Sequence, residues 1–136
     1  MADTMQFDLV APERRRASLQ ATAVQLPGAD GDMTAMPNHA PTITTLRPGI
    51  VRVESPEGNA DFAVTGGFAE VSATGLSVLA ERAVPVAEVT QDVVNSFVQD
   101  AADASSNATA ENLDDLAKRT VDIAAMASQL GLNANA

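Results

Sequence analysis

The hydrophobic period of this chain changes once, at Val86, and no single element can carry both periods. Up to that point short apolar runs alternate at a spacing of two and are cut by Pro or Gly about every eight to twelve residues. Beyond it apolar residues recur at spacings of three and four. A β part followed by a helical part is therefore expected, with residues 1–86 as an antiparallel β-sandwich or flattened barrel and 87–136 as an antiparallel two-helix hairpin.

In the first part Met5, Phe7 and Leu9 alternate with Gln6, Asp8 and Val10, and Ala17, Leu19 and Ala21 keep the same period. Val24 and Leu26 precede the turn signal "PGADGD". The stretch "GDMTAMPNHAP" fits neither a clean strand nor a helix. After it come "TITTL", the breaker "RPG", "IVRVES", the hairpin-like "PEGN", "DFAVT", "GG", "FAEVSA", "TG" and "LSVLAERAV". Gly66 and Gly67 sit where a tight turn or bulge needs positive φ; without a following helix they cannot cradle a phosphate. Pro85 donates no ladder hydrogen bond and closes the β pattern.

In the second part Val89, Val93, Phe97, Ala101 and Ala104 form a stripe widened by Val94 and Val98, with Thr90 placed as the cap and Asp92 in the first turn. The polar break "SSNAT" separates it from a second stripe, Leu113, Leu116, Thr120, Ile123, Ala127 and Leu130, flanked by Ala117 and Ala124 and ended by Gly131. A short polar connection makes the two helices antiparallel neighbours. Their seam is thin, because alanine buries little apolar area.

Composition excludes several functions. The 136 residues contain no Cys, so disulfides, thiolate catalysis and Cys-based zinc sites are ruled out. Net charge is −10, with acidic residues outnumbering basic ones in both parts, which repels phosphate backbones and anionic lipid. Four Phe with no Trp or Tyr leave little to stack bases or sugars on. No signal-like N-terminus and no run of about 20 apolar residues is present, so the chain is expected to be soluble and to meet a membrane only through a partner. On the same ground the sequon at Asn107 is a coincidence.

His39, the only histidine, is the natural suspect for acid–base work. General-base chemistry needs a nucleophile or an orienting partner, and a His-based metal site needs further strong ligands; only Asp30 and Asp32 lie nearby in sequence. A structural or docking histidine is the better reading. "GADGD" lacks the remaining ligand positions of a calcium loop and reads as an acidic surface turn. The basic run at 14–16 reads as a solvated turn, since three adjacent side chains cannot share one face of an extended segment. No triad, paired-carboxylate cleft, P-loop or dinucleotide fingerprint is recognisable, so neither catalysis nor a cofactor is expected.

Four stretches in order, "MQFDLVAPER", "GDMTAMPNHAPTITTLRPGIVRV", "FAVTGGFAEVSATGLSVLAERAV" and the helical tail, resemble the epsilon subunit of F-type ATP synthase, called delta in mitochondria. In "PNHAP" Asn38 stands where that family commonly has Gly. The resemblance implies a non-catalytic subunit of the central rotor stalk, joining the gamma subunit to the ring of c subunits and coupling proton flow to ATP synthesis. It further implies a peripheral location on the cytoplasmic face of a bacterial inner membrane. Docking to the c ring and gamma is implied for Asp32, Met33, Met36 and His39.

The sequence departs from that family in its tail. Some members bind ATP through "DxxRA" in the first helix, but "VTQDVVNSFVQDAADA" has no Arg. Others inhibit hydrolysis by extending a basic second helix against the beta subunit. Here Lys118 and Arg119, the candidates for such a contact, stand against Glu111, Asp114, Asp115 and Asp122, so attraction to an acidic segment of the beta subunit is weak or repulsive and inhibition is expected to be feeble; any contact with the alpha and beta subunits is expected through these helices. Two other readings stay open on residues alone: a nucleotide-sensing module with a moving tail, and a small metal-dependent β-sandwich enzyme using His39 and Asp32.

Overall fold

The computed structural model describes residues 4–12, 14–38, 40–106 and 113–132, with backbone alone for 14–16, 105, 113, 115 and 116. His39, Glu111 and the sequon at 107–109 lie outside the described residues, as do the side chains of Leu113, Asp115 and Leu116. The chain divides into two compact units, Met1–Pro85 and Val86–Ala136.

The first unit is a ten-stranded curled sheet: β1 Met5–Ala11, β2 Arg14–Ala21, β3 Ala23–Gly28, β4 Gly31–Ala35, β5 Thr42–Leu46, β6 Gly49–Glu54, β7 Ala60–Val64, β8 Gly67–Val71, β9 Gly75–Ala80 and β10 Ala83–Pro85. Strand order is β10-β7-β6-β3-β5-β8-β9-β1-β2, with β4 on the other edge of β3. Only one Cα pair, Gly28↔Leu46, joins β3 to β5, so the sheet folds at that point into two five-stranded layers. β10 returns beside β1, which curls the whole into a half-barrel.

Alternation decides which residues fill it. Met5, Phe7 and Leu9 of β1 turn inward to meet Val24 and Leu26 of β3, Val51 and Val53 of β6, Phe62 and Val64 of β7, and Leu76 and Val78 of β9. Each large apolar side chain taken out of water there contributes roughly 1.5–3 kcal/mol. Among the described residues the one buried polar side chain is Thr65, 2% exposed, whose hydroxyl has no hydrogen-bond partner. Thr65→Val keeps its shape and removes the orphan hydroxyl, so a gain of about 1 kcal/mol in urea unfolding is expected; a loss would show that the hydroxyl is satisfied.

Four expectations are corrected. The sandwich is antiparallel except where β1 pairs with β9 in parallel, since the two strands are far apart in the chain and no hairpin turn sets their relative direction. "GDMTA" is a strand after all, since the edge of β3 supplies it with a ladder. The basic run is not a turn: the backbone of Arg14, Arg15 and Arg16 belongs to β2, where a register shift opposite Leu9 and Val10 absorbs the extra residue. "LSVLAERAV" is two strands. At Glu81 and Arg82 the chain leaves β8 and the neighbouring layer for β7, held by Glu81 N donating to Gly66 O at 3.0 Å and Thr65 N to Arg82 O at 3.3 Å.

The second unit begins with one 3-10 turn, Val86–Glu88, followed by α1 Gln91–Ser106 and α2 Leu113–Gln129, which pack on each other as a hairpin. Thr90 caps α1, its hydroxyl accepting from Val93 N at 3.3 Å. At the end of α2, Leu132 N donates to Ala127 O at 2.8 Å and Gly131 N to Ser128 O at 3.0 Å, the paired bonds of a Schellman stop. The seam is narrower than the expected stripes. α1 buries Val94, Phe97 and Ala101, with Val93 and Val98 only half-buried, and α2 buries Ile123, Met126 and Ala127. Ala117, Thr120 and Ala124 are exposed; Met126, the flexible gap-filler, takes their place.

Candidate functional site

Sheet register brings five connections to one end of the β unit. Val10 lies beside Leu79, Leu79 opposite Phe68, Phe68 opposite Thr45, and Leu46 opposite Gly28. The turns at Pro12, Ala29–Asp30, Arg47–Pro48, Thr65–Gly66 and Glu81–Arg82 therefore gather there. The outer face at that end holds an open groove of about 430 Å³ lined mainly by Val10, Pro12, Phe68 and Leu79, with Glu81 at its side. Phe68 and Leu79 keep 43% and 41% of their surface in water, although their strand neighbours Ala69 and Val78 are buried. Phe68 and Leu79 thus make an outward pair of large apolar residues at opposed register positions.

Asp32 projects from β4 beside this end. Its carboxylate is 79% exposed and accepts from the Nη2 of Arg47, whose own side chain is only 26% exposed. The same guanidinium donates through Nη1 to the carbonyl of Gly28. Backbone bonds flank the pair, Arg47 N to Pro27 O at 2.9 Å and Ala29 N to Thr45 O at 2.8 Å. An ion pair so open to water adds no more than about 1 kcal/mol to folding. A guanidinium against the carboxylate also opposes a divalent cation there, which weighs against the metal reading.

The other expected site residues separate. Met33 is half-buried and packs against the core. Met36 is 55% exposed but lies at the far end of β4 from Asp32, a separation of roughly 13 Å at strand rise. Asn38 has φ 67 and donates its N–H to Ala73 O at 3.0 Å, so that loop is fastened to the β8–β9 turn. Asn is the non-glycine residue best suited to this left-handed conformation, which explains its place in "PNHAP". His39 itself lies outside the described residues. In α2, Lys118 is exposed and bonded to Asp122 at 2.8 Å, one turn away, and Arg119 is half-buried.

Arg47 was hidden in the sequence inside "RPG", where it reads as part of a breaker. The available signal was a basic residue within a few positions of a turn, fifteen residues from an acid on the neighbouring hairpin.

The family described as ATP synthase, Delta/Epsilon chain, beta-sandwich domain matches residues 4–86. Over 97% of its length this chain is 54% identical to an ATP synthase epsilon chain of Ruegeria sp. (strain TM1040), all of which is covered. It is 59% identical to the ATP synthase epsilon chain of Fuscovulum blasticum over 96% of this chain and 99% of that one. Among solved structures it is similar in fold to a chain in the mitochondrial ATP synthase of Euglena gracilis, OSCP/F1/c-ring, with TM-score 0.63 and 21% identity, covering 85% of this chain and 74% of that chain. A chain in the central stalk/c-ring of Tetrahymena thermophila mitochondrial ATP synthase gives TM-score 0.54 at 16% identity over 63% of this chain and 69% of that chain.

Proposed function

The chain belongs to the delta/epsilon family of ATP synthase chains, as a non-catalytic subunit, and from that premise we propose that it works in the central stalk, between the gamma subunit and the c ring. The observation that carries this reading is that the likeness to epsilon chains runs through both units, helices included, and not through the sandwich alone. A rotor joint must transmit torque without yielding. Two layers of strands curled on one core, with every strand paired, resist shear better than a thin alanine-rich helix seam.

The end that gathers the groove and Asp32 has both an apolar patch and an exposed acid, as a surface between two unlike partners needs. In this reading the groove residues Phe68 and Leu79 serve the gamma side and Asp32 the ring, with Met33 and Met36 further along the same segment. No helix among the described residues is long and apolar enough to cross a membrane. In this reading its partners hold the subunit to the cytoplasmic face of the inner membrane. Membranes stripped of this chain regain ATP synthesis when it is added back; no recovery would overturn the reading.

The tail is a feeble brake in this account. Lys118 is engaged by Asp122, and Asp114 and Asp122 share its helix, so little net positive charge is available to an acidic segment of the beta subunit. Removal of residues 88–136 from the assembled enzyme raises ATP hydrolysis by less than about twofold. A large rise on deletion contradicts it.

A further inference from the structure

We propose that Arg47 is the positioning residue of the docking carboxylate: it fixes where Asp32 stands, and so sets how tightly this subunit holds its partners. The inference rests on the docking reading above and deepens it.

β4 pairs with β3 alone and joins it through a two-residue turn, Ala29–Asp30. A hairpin edge of this kind is compliant by itself. Arg47 lies in the turn that leads from β5 of the other layer into β6 of this one, and its fork spans the carbonyl of Gly28 and the carboxylate of Asp32. Two donors of one rigid plane thus tie the hairpin to the turn after β5, beside the single Cα pair, Gly28↔Leu46, that joins β3 to β5. The guanidinium is mostly covered and the carboxylate mostly open, so Arg47 is anchored while Asp32 remains free to accept from a partner. A pair this exposed does little for folding, and its value lies in presenting the acid in one position before docking.

An Asp32 already holding a guanidinium offers hydrogen-bond acceptor sites more than net negative charge. The complementary group on the partner is accordingly a neutral N–H or O–H donor rather than a second cation.

The test uses the full chain and ATP synthase membranes stripped of it, with binding measured for wild type, Arg47→Gln, Arg47→Lys, Asp32→Asn and the double variant, alongside urea unfolding of each. Arg47→Gln is expected to bind roughly five- to tenfold more weakly with an unchanged unfolding midpoint. Arg47→Lys, able to reach one acceptor at a time, recovers part of the loss, and the double variant binds no more weakly than Asp32→Asn. If Asp32→Asn weakens binding and Arg47→Gln does not, positioning is overturned and docking stands. Additive effects also overturn it, since Arg47 then acts independently of Asp32. If neither substitution weakens binding, the docking reading falls and the positioning role falls with it.

Discussion

Gly67→Ala is expected to cost about 3–5 kcal/mol, a third or more of the stability an ordinary domain possesses. Gly67 opens β8 with φ 125, a conformation side chains rarely adopt, and it sits in register between Leu46 on one side and Ala80 on the other. A methyl group at this position would lie 2.0 Å from the carbonyl oxygen of Leu79 and 2.9 Å from the Cα of Ala80. Those are backbone atoms of a paired strand and cannot swing aside; the β8–β9 ladder has to open. Gly58 provides the control. It has φ 127 but open space around the same point, so Gly58→Ala bears the conformational cost alone, about 1–2 kcal/mol. Equilibrium urea unfolding of the two variants separates backbone strain from collision. Equal losses at both positions would mean that β8 and β9 are not as closely joined as described.

Asp32→Lys has the second large effect, on association rather than stability. The substitution places an ammonium beside the Arg47 guanidinium, so an attraction becomes a repulsion at the turn end of the β3–β4 hairpin. It also inverts the charge shown to a partner, a change that costs several kcal/mol when the opposing surface was built for an acceptor. Affinity for stripped membranes is expected to fall on the order of 10–100-fold, with a matching loss of coupling between proton flow and ATP synthesis. Fold is retained, because an exposed pair contributes little to it. Unchanged affinity and unchanged coupling would place the ring contact elsewhere on the subunit.

Much of this architecture was legible because burial on one face of a strand writes itself into the sequence at a period of two. Met5, Phe7 and Leu9 needed nothing more to be read as an inward row, and Thr90 marked the start of α1 by its chemistry. The failures share a cause: pairing between distant segments leaves no local mark. Glu81 and Arg82 carry no Gly or Pro, yet there the chain changes layers, held by bonds to Gly66 and Thr65. The Arg14–Arg16 backbone is extended because β1 is beside it, and "GDMTA" is a strand because β3 is. In the helices the stripe centred on Val93 with Val94 at its flank, whereas Val94 is buried and Val93 half-buried, and Met126, outside the second stripe, is buried while Ala124 is exposed; with so many alanines the pattern underdetermines which neighbour turns inward. Asp32 was identified through the family resemblance, but its Arg47 partner was not. A resemblance carries residues one at a time, and a pair spanning two layers is visible only once the layers are folded together.

The proposed bridge between gamma and the c ring requires contact with both. Its most direct test is capture of the tagged full-length chain from detergent-solubilised membranes of its own source, followed by identification of what comes with it. Recovery of gamma together with c subunits, reduced for Asp32→Lys, is the predicted result; capture of neither gamma nor c would contradict it.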